Sequence, residues 1–329
     1  MVTGGEAPAL TSPSRSAGRV GAALLAVLAL LAMAAPWIAP RPPDLQEDVA
    51  GARLLPPLTR AHALRTSSGI HLVTDLQRTP DGWSGRRLRA IEIVRDQDLP
   101  APPEARLYLL GTDTLGRDLT SRLLFGLRHS AGVALFAVAL AVLIAIAVGS
   151  AAALGGAAWD AVLMRGVDVL MSIPRLVLFL VCATLFPPSA LLLVLVLGAT
   201  TWTGLARIVR AGLQTLAGGS LRAAARAAGA APLRVLARHL LPQLVPALAV
   251  GAALRFADTV LLESAISLLG LGAPPPAVSL GGIMASGRES LAGGWWLTAL
   301  PGLLLAVLVL SLRSAATSLD RTLDPPSLA

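Results

Sequence analysis

The sequence predicts an all-α integral membrane protein with six transmembrane helices. Three observations carry that prediction. Hydrophobic residues make up 55% of the 329-residue chain and charged residues only 14%, against about 25% charged in an ordinary soluble domain. Several runs approach or exceed the roughly 20 apolar residues that cross a bilayer. Between two of these runs lies a segment rich in arginine and free of acid, as cytoplasmic loops are.

The elements follow in order. Residues 1–19 form a small polar tail whose Arg15 and Arg19 hold the N-terminus in the cytoplasm. The run from Val20 to Ala39 ends beside Trp37. Its length and that interfacial ring fit an uncleaved first span, 20–40, better than a signal peptide, although "AMA" at 32–34 resembles a cleavage site. Residues 41–128 carry thirteen arginines and eleven acids. There "GIHLVTDLQ" and "RLRAIEIVR" read as short strands joined by the turn "TPDGWSG". This predicts a small extracytoplasmic domain, since long loops translocate largely regardless of charge. "RDLTSRLLFGLRHS" (117–130) mixes Arg and Leu at helical spacing, as an amphipathic surface helix does.

Residues 129–316 form the core of five further spans. Ser130–Leu154 is an uncharged run and a clear span. Leu176–Ala206 is also uncharged, but Pro187-Pro188 splits it into pieces too short for two full spans. The first piece therefore borrows its inner end from residues near Val167, and Arg175 must face protein or water. Leu244–Leu271 is apolar apart from Arg255, Asp258 and Glu263, and Trp295–Leu312 is the last span. A cytoplasmic tail, 317–329, follows. With 207–243 in the cytoplasm, that loop holds six arginines and no acid, while the outer loops 187–189 and 272–294 hold only Arg288 and Glu289.

"LRAAARAAGAAPLRVLARHLLPQ" (221–243) is too charged to enter lipid. Leu221, Ala224, Ala225 and Ala228 share one helical face, and Leu233, Leu236, Ala237 and Leu240 share another. Gly229 suits a helix end and Pro232 a first turn. Two short helices with a tight turn result. Arg222 and Arg226 stack on one exposed face, as do Arg234 and Arg238, four residues apart in each pair. The segment is shaped to dock on a partner or to lie on anionic headgroups.

The charges inside predicted spans are costly, at about 2.5–3.5 kcal/mol each near mid-bilayer. Arg255 and Asp258, three apart, can pair on one helix face. Two readings stand for them: a lining of the solute pathway, or a structural pair that locks helices. Glu263 begins "ESAISLLGLG" and caps or braces the outer loop; Asp160, Arg165 and Asp168 brace the inner end. Asp113, Arg117 and Asp118 either order the outer surface helix, the reading that Asp near a helix start favours, or meet an extracytoplasmic partner.

Four stretches in order resemble one family, the permeases of binding-protein-dependent ABC importers in the dipeptide/oligopeptide branch. They are "LGTDTLGRDLTSRLLFGLRHS" (110–130), "WDAVLMRGVDVLMSIPRL" (159–176), "ARAAGAAPLRVLARHLLPQ" and "ESAISLLGLGAPPPAVSLGGIMASGRESLAGGWWL" (263–297), with "LDPP" (323–326) closing the match. The third resembles the family's "EAA" loop through Ala224, Ala225, Gly229, Leu241 and Pro242, with Ala223 where the family often has Glu. The resemblance implies a type I ABC importer permease fold in the bacterial cytoplasmic membrane. It implies ATPase docking through Arg222, Ala224, Ala225, Arg226, Gly229, Arg234, Arg238, His239, Leu241 and Pro242. The implied partners are a homologous second permease, ABC ATPase subunits, an extracytoplasmic binding protein and membrane lipid. The implied cargo is a di- or oligopeptide or a related small solute. The segment 51–107 is an insertion relative to the family.

Other chemistry is not expected. The chain has no phosphate-loop, H-E-x-x-H or G-x-S-x-G motif, so ATP hydrolysis belongs to another polypeptide. The lone Cys182 excludes an internal disulfide, and His62, His71, His129 and His239 lack metal-ligand spacing. No cofactor, metal or nucleic acid is expected. The competing function class is a stand-alone secondary transporter or channel with Arg255, Asp258 and Glu263 as an ion relay. A weaker third is a membrane-anchored scaffold built on 41–128.

Overall fold

A computed structural model describes residues 15–87, 90–217 and 232–323. Among them, five helices are long and apolar enough to cross a membrane, and a sharply bent helix pair brings the total to six if it counts as one span. The long helices are α1 (Arg15–Ile38), α2 (Leu119–Leu154), α5 (Ala190–Ala217), α6 (Leu241–Leu268) and α8 (Trp296–Leu323). The bent pair is α3 (Ala157–Ser172) and α4 (Arg175–Leu185), and a short α7 (Leu280–Gly287) lies between α6 and α8.

Small residues set the helix contacts. Along α2, Ala134, Ala137, Ala141, Ala145 and Gly149 form a buried stripe at helical spacing. It lets the α5 backbone approach closely, as small residues do between membrane helices, where no hydrophobic driving force operates and close packing holds the pair. A Cβ placed on Gly198 of α5 would lie 3.0 Å from the Ala137 carbonyl, and one on Gly149 would lie 2.7 Å from the Ala206 carbonyl. These contacts advance in the same direction along both chains, so α2 and α5 run parallel. Elsewhere neighbours are antiparallel. Gly18 and Gly21 of α1 face Ser318 and Ser314 of α8, and Gly212 and Gly251 of α5 and α6 face Leu244 and Ile208 respectively. The start of α1 and the end of α8 therefore share one end of the bundle.

At the other end stands a five-stranded antiparallel sheet. Its strands are β1 (Thr59–Thr66), β2 (Gly69–Thr79), β3 (Gly82–Arg87), β4 (Ala90–Arg95) and β5 (Glu104–Tyr108), in spatial order β4-β3-β2-β1-β5. Ala63 and Leu72 pack on Ala52 from one face, while Leu64, Val73 and Val94 pack on the other. Asp48 ties the sheet to its stem. Its carboxylate accepts the Leu72 N–H at 2.8 Å, the Gly51 N–H at 3.0 Å and two Arg87 N–H groups at 2.8 and 3.0 Å.

Several sequence expectations need correction. The "TPDGWSG" turn shrinks to Pro80-Asp81, because Gly82 onward is already strand β3. Three further strands, β1, β3 and β5, make a sheet larger than the pair expected, and β3 separates the two expected strands. Residues 119–130 are not a separate surface helix. They are the first turns of α2, whose 36 residues make a rod of about 54 Å. The span near Val167–Leu185 is not straight: α3 and α4 meet at 82°. Pro174 at that corner disfavours helix in Ile173, whose backbone is extended. The second short helix expected after Gly229 is also not separate. Helix resumes at Pro232, passes through a π-helical turn at Leu236–Leu240 and continues as α6.

Candidate functional site: a charged cluster in the helical bundle

Three constellations lie along the bundle. At the sheet end, "GTDTLGRD" folds into a knot that joins three elements. The Thr112 hydroxyl accepts the Leu55 N–H at 2.8 Å and donates to the Ala52 carbonyl. The Trp296 indole N–H donates to the Thr112 carbonyl at 3.1 Å, which fixes the start of α8. Asp113 is fully buried and accepts the N–H groups of Leu115 and Arg117 at 2.9 Å each and Arg117 Nε at 2.7 Å. Asp118 caps α2 through the Ser121 N–H at 2.8 Å, satisfying a donor that the first turn leaves open. Gly111 takes φ +82°, and a Cβ there would meet the Leu55 carbonyl at 2.4 Å, so only glycine fits. The expectation that these acids order the outer helix holds.

Near the middle of the bundle, Asp258 on α6 sits between two arginines. Arg255 Nη1 lies 3.6 Å from Asp258 Oδ2, and Arg313 Nη2 of α8 donates to Asp258 Oδ1 at 2.9 Å. Arg175, at the start of α4, is half-buried and close enough to feel Arg255 and Asp258 electrostatically. A cavity of about 280 Å³ opens beside Arg255, Asp258 and Arg313. Glu263 stands apart, fully buried, and accepts the Ser267 hydroxyl at 2.8 Å and the Ser264 hydroxyl at 3.3 Å. His129 of α2 is within its electrostatic reach. Arg313 was missed in the sequence because it lies just past the apolar run and 55 residues from its acid. No local signal joins them.

At the opposite end from the sheet, α3 is bound to the end of α5 by two ion pairs. Asp160 accepts Arg210 Nη2 at 2.5 Å and also Arg210 Nε, and Asp168 accepts Arg207 Nη2 at 2.5 Å. The bracing role expected for Asp160 and Asp168 thus has named partners on α5. Of the docking residues, Arg222, Ala224, Ala225, Arg226 and Gly229 lie outside the described residues. Arg234, Arg238, His239 and Pro242 are exposed and Leu241 is half-buried, on the helical run entering α6.

Comparison with known proteins defines the class. The family described as "binding-protein-dependent transport system inner membrane component" matches residues 141–325. The "N-terminal TM domain of oligopeptide transport permease C" matches residues 15–57. A putative peptide transport system permease of Brucella suis biovar 1 is 34% identical over 227 residues, covering 68% of this chain and 75% of that protein. A di/tripeptide transport system permease, DppC of Pseudomonas aeruginosa, is 33% identical over 218 residues, covering 66% and 72%. The inward-facing MetNI methionine ABC transporter shares the fold, with TM-score 0.52 at 19% identity over 62% of this chain and 97% of that one.

These features define a multi-pass membrane permease. The chain belongs to the binding-protein-dependent transport system inner membrane components and is a permease subunit of an ABC importer. The reading as a stand-alone secondary transporter gives way to that membership.

Proposed function

We propose that this chain forms half of the channel of an importer for di- or oligopeptides, with ATP hydrolysed on separate ATPase subunits. A second permease, paired ATPases and an extracytoplasmic binding protein complete the machine in the bacterial inner membrane. The names of the relatives support the peptide class.

In this reading the chain crosses six times and both termini face the cytoplasm. The parallel run of α2 and α5 supports six crossings, because the chain between two parallel spans must return across the membrane. The bent pair α3–α4 supplies that return. Only Val167 and Phe179 of the pair are buried within the chain. Trp159, Val162, Val181 and Leu185 are exposed, as befits a surface covered by lipid and by the second permease. The sheet then projects outside as a domain between the first span and the core.

One observation carries the coupling assignment. The basic segment between Ala217 and Pro232 joins the ends of α5 and α6, and two ion pairs fix α3 to that same end of α5. A push on this segment moves three helices together. Docking through residues 221–242 converts closure of the ATPase dimer into a switch of the spans between inward-open and outward-open. The energy comes from the different affinity of the ATPase for the two states.

The test is co-purification of the ATPase subunits with Gly229→Pro, together with ATP-dependent peptide uptake by cells. Loss of both with normal membrane insertion is expected. Normal co-purification contradicts the docking role.

A further inference from the structure

The described charges at mid-bundle do not balance. Arg255 and Arg313 flank a single acid, Asp258, and Arg175 lies within electrostatic range of them. Arg255 lies near the midpoint of α6, Leu241–Leu268, whereas Arg313 lies at the inner end of the last apolar run, beside Ser314, which faces Gly21 of α1. A cation within a span, as Arg255 is, is costly and is kept where it faces a water-filled path or a partner charge. One arginine would have sufficed to neutralise Asp258 as a structural pair.

The surroundings are built for access. Gly204 of α5 leaves room for the Arg255 guanidinium, since a Cβ there would stand 2.5 Å from Arg255 Nη2. Gly251 and Ile208 wall the adjoining cavity, whose volume of about 280 Å³ suits one terminal residue of a solute rather than a whole chain. The side chains of Arg255, Asp258 and Arg313 are 31%, 37% and 55% exposed, so their heads border this opening rather than a sealed core.

We propose that Arg255 and Arg313, with Arg175 nearby, form a transient subsite for a free carboxylate, the C-terminal carboxylate of a transported peptide. This rests on the importer reading above. Guanidinium groups match a carboxylate with paired hydrogen bonds. Asp258 orients both guanidiniums and offsets part of their charge. A pathway site must bind strongly enough to admit the solute and weakly enough to release it, and one acid among three cations supplies that compromise.

The experiment uses the complete importer in cells, with trialanine and trialaninamide as probes. Arg255→Gln and Arg313→Gln should each lower trialanine uptake about tenfold, through the lost charge-assisted bonds, while trialaninamide uptake stays within about twofold. Asp258→Asn should lower trialanine uptake, because the guanidiniums lose their orienting acid and hold the carboxylate longer, while trialaninamide uptake stays within about twofold. Membrane abundance and ATPase co-purification are measured for every variant. For any variant that fails to assemble, Arg255→Lys is read instead. It keeps the charge without the fork and should give an intermediate loss for trialanine only. Equal losses for both probes, in Asp258→Asn as in the arginine variants, mark a structural lock and overturn the subsite. So does trialanine uptake that the arginine variants leave intact. Absence of ATP-dependent uptake of either probe by the unaltered importer overturns the peptide-importer reading itself, and the subsite with it.

Discussion

Gly149 of α2 lies directly against Ala206 of α5: a methyl group on Gly149 would stand 2.7 Å from the Ala206 carbonyl oxygen and 2.7 Å from Val209 Cβ. This contact holds two parallel helices close and so fixes the path of the chain between them. Gly149→Val should destabilise the protein by about 1–3 kcal/mol, the usual cost of overpacking. Gly132→Ala on the same helix meets nothing within 4 Å and should change stability by no more than about 1 kcal/mol, in the stabilising direction. Thermal unfolding midpoints of the protein in nanodiscs compare the two. Equal midpoints would remove the close α2–α5 contact from the account.

The Asp160–Arg210 and Asp168–Arg207 pairs tie α3 to α5 at the loop end. Asp160→Arg should uncouple transport from ATP hydrolysis, with hydrolysis continuing while uptake falls. The double variant Asp160→Arg with Arg210→Asp should restore uptake. An unrestored double variant would show that these residues act otherwise than as a pair.

Asp118 caps α2 and also holds the Ser121 hydroxyl at 2.8 Å. Asp118→Ala should cost about 1 kcal/mol of stability, in line with other N-cap losses. Hydrogen exchange should rise in the first turn of α2 and not in its middle. Uniform exchange along the helix would contradict the capping role.

Burial pushes the Asp48 carboxyl up, but the Arg87 guanidinium and the N–H groups of Gly51 and Leu72 outweigh it. They hold the group below its ordinary value of 3.8. A carboxyl whose folded-state pKa is depressed adds stability that is complete above the unfolded value and fades as pH falls through the folded one. The sheet should therefore loosen as pH drops below that value. Unfolding midpoints of Asp48→Asn should be lower at neutral pH and flatter across the same acid window. Parallel pH profiles for the two proteins would rule out the Asp48 anchor.

The sequence revealed the spans that are long and uncharged, such as Ser130–Leu154, because apolar length alone decides them. It did not reveal β1. Ala61 and Ala63 are buried there, yet alanine carries little strand preference and "TRAHALRT" shows no run of branched or aromatic residues. The bend between α3 and α4 did leave a signal, Pro174, but an apolar run on both sides masks a corner as easily as it suggests a span. The shared acid of Arg255 and Arg313 was half visible. The spacing of Arg255 and Asp258 is local, whereas Arg313 reaches the site only through antiparallel packing of α6 and α8. The arginine-rich segment was readable because charge between apolar runs has few other uses.

The segment entering α6 is expected to meet the ATPase from the cytoplasm. The chain has one native cysteine, Cys182, so a Cys182→Ser background accepts a single new thiol through Arg234→Cys or Arg238→Cys, both at exposed positions. Site-specific crosslinking of that thiol in the assembled importer is the most direct measurement. Crosslinks to the ATPase subunit are expected, with a yield that changes when ATP is added. Crosslinks to the extracytoplasmic binding protein instead would contradict that docking.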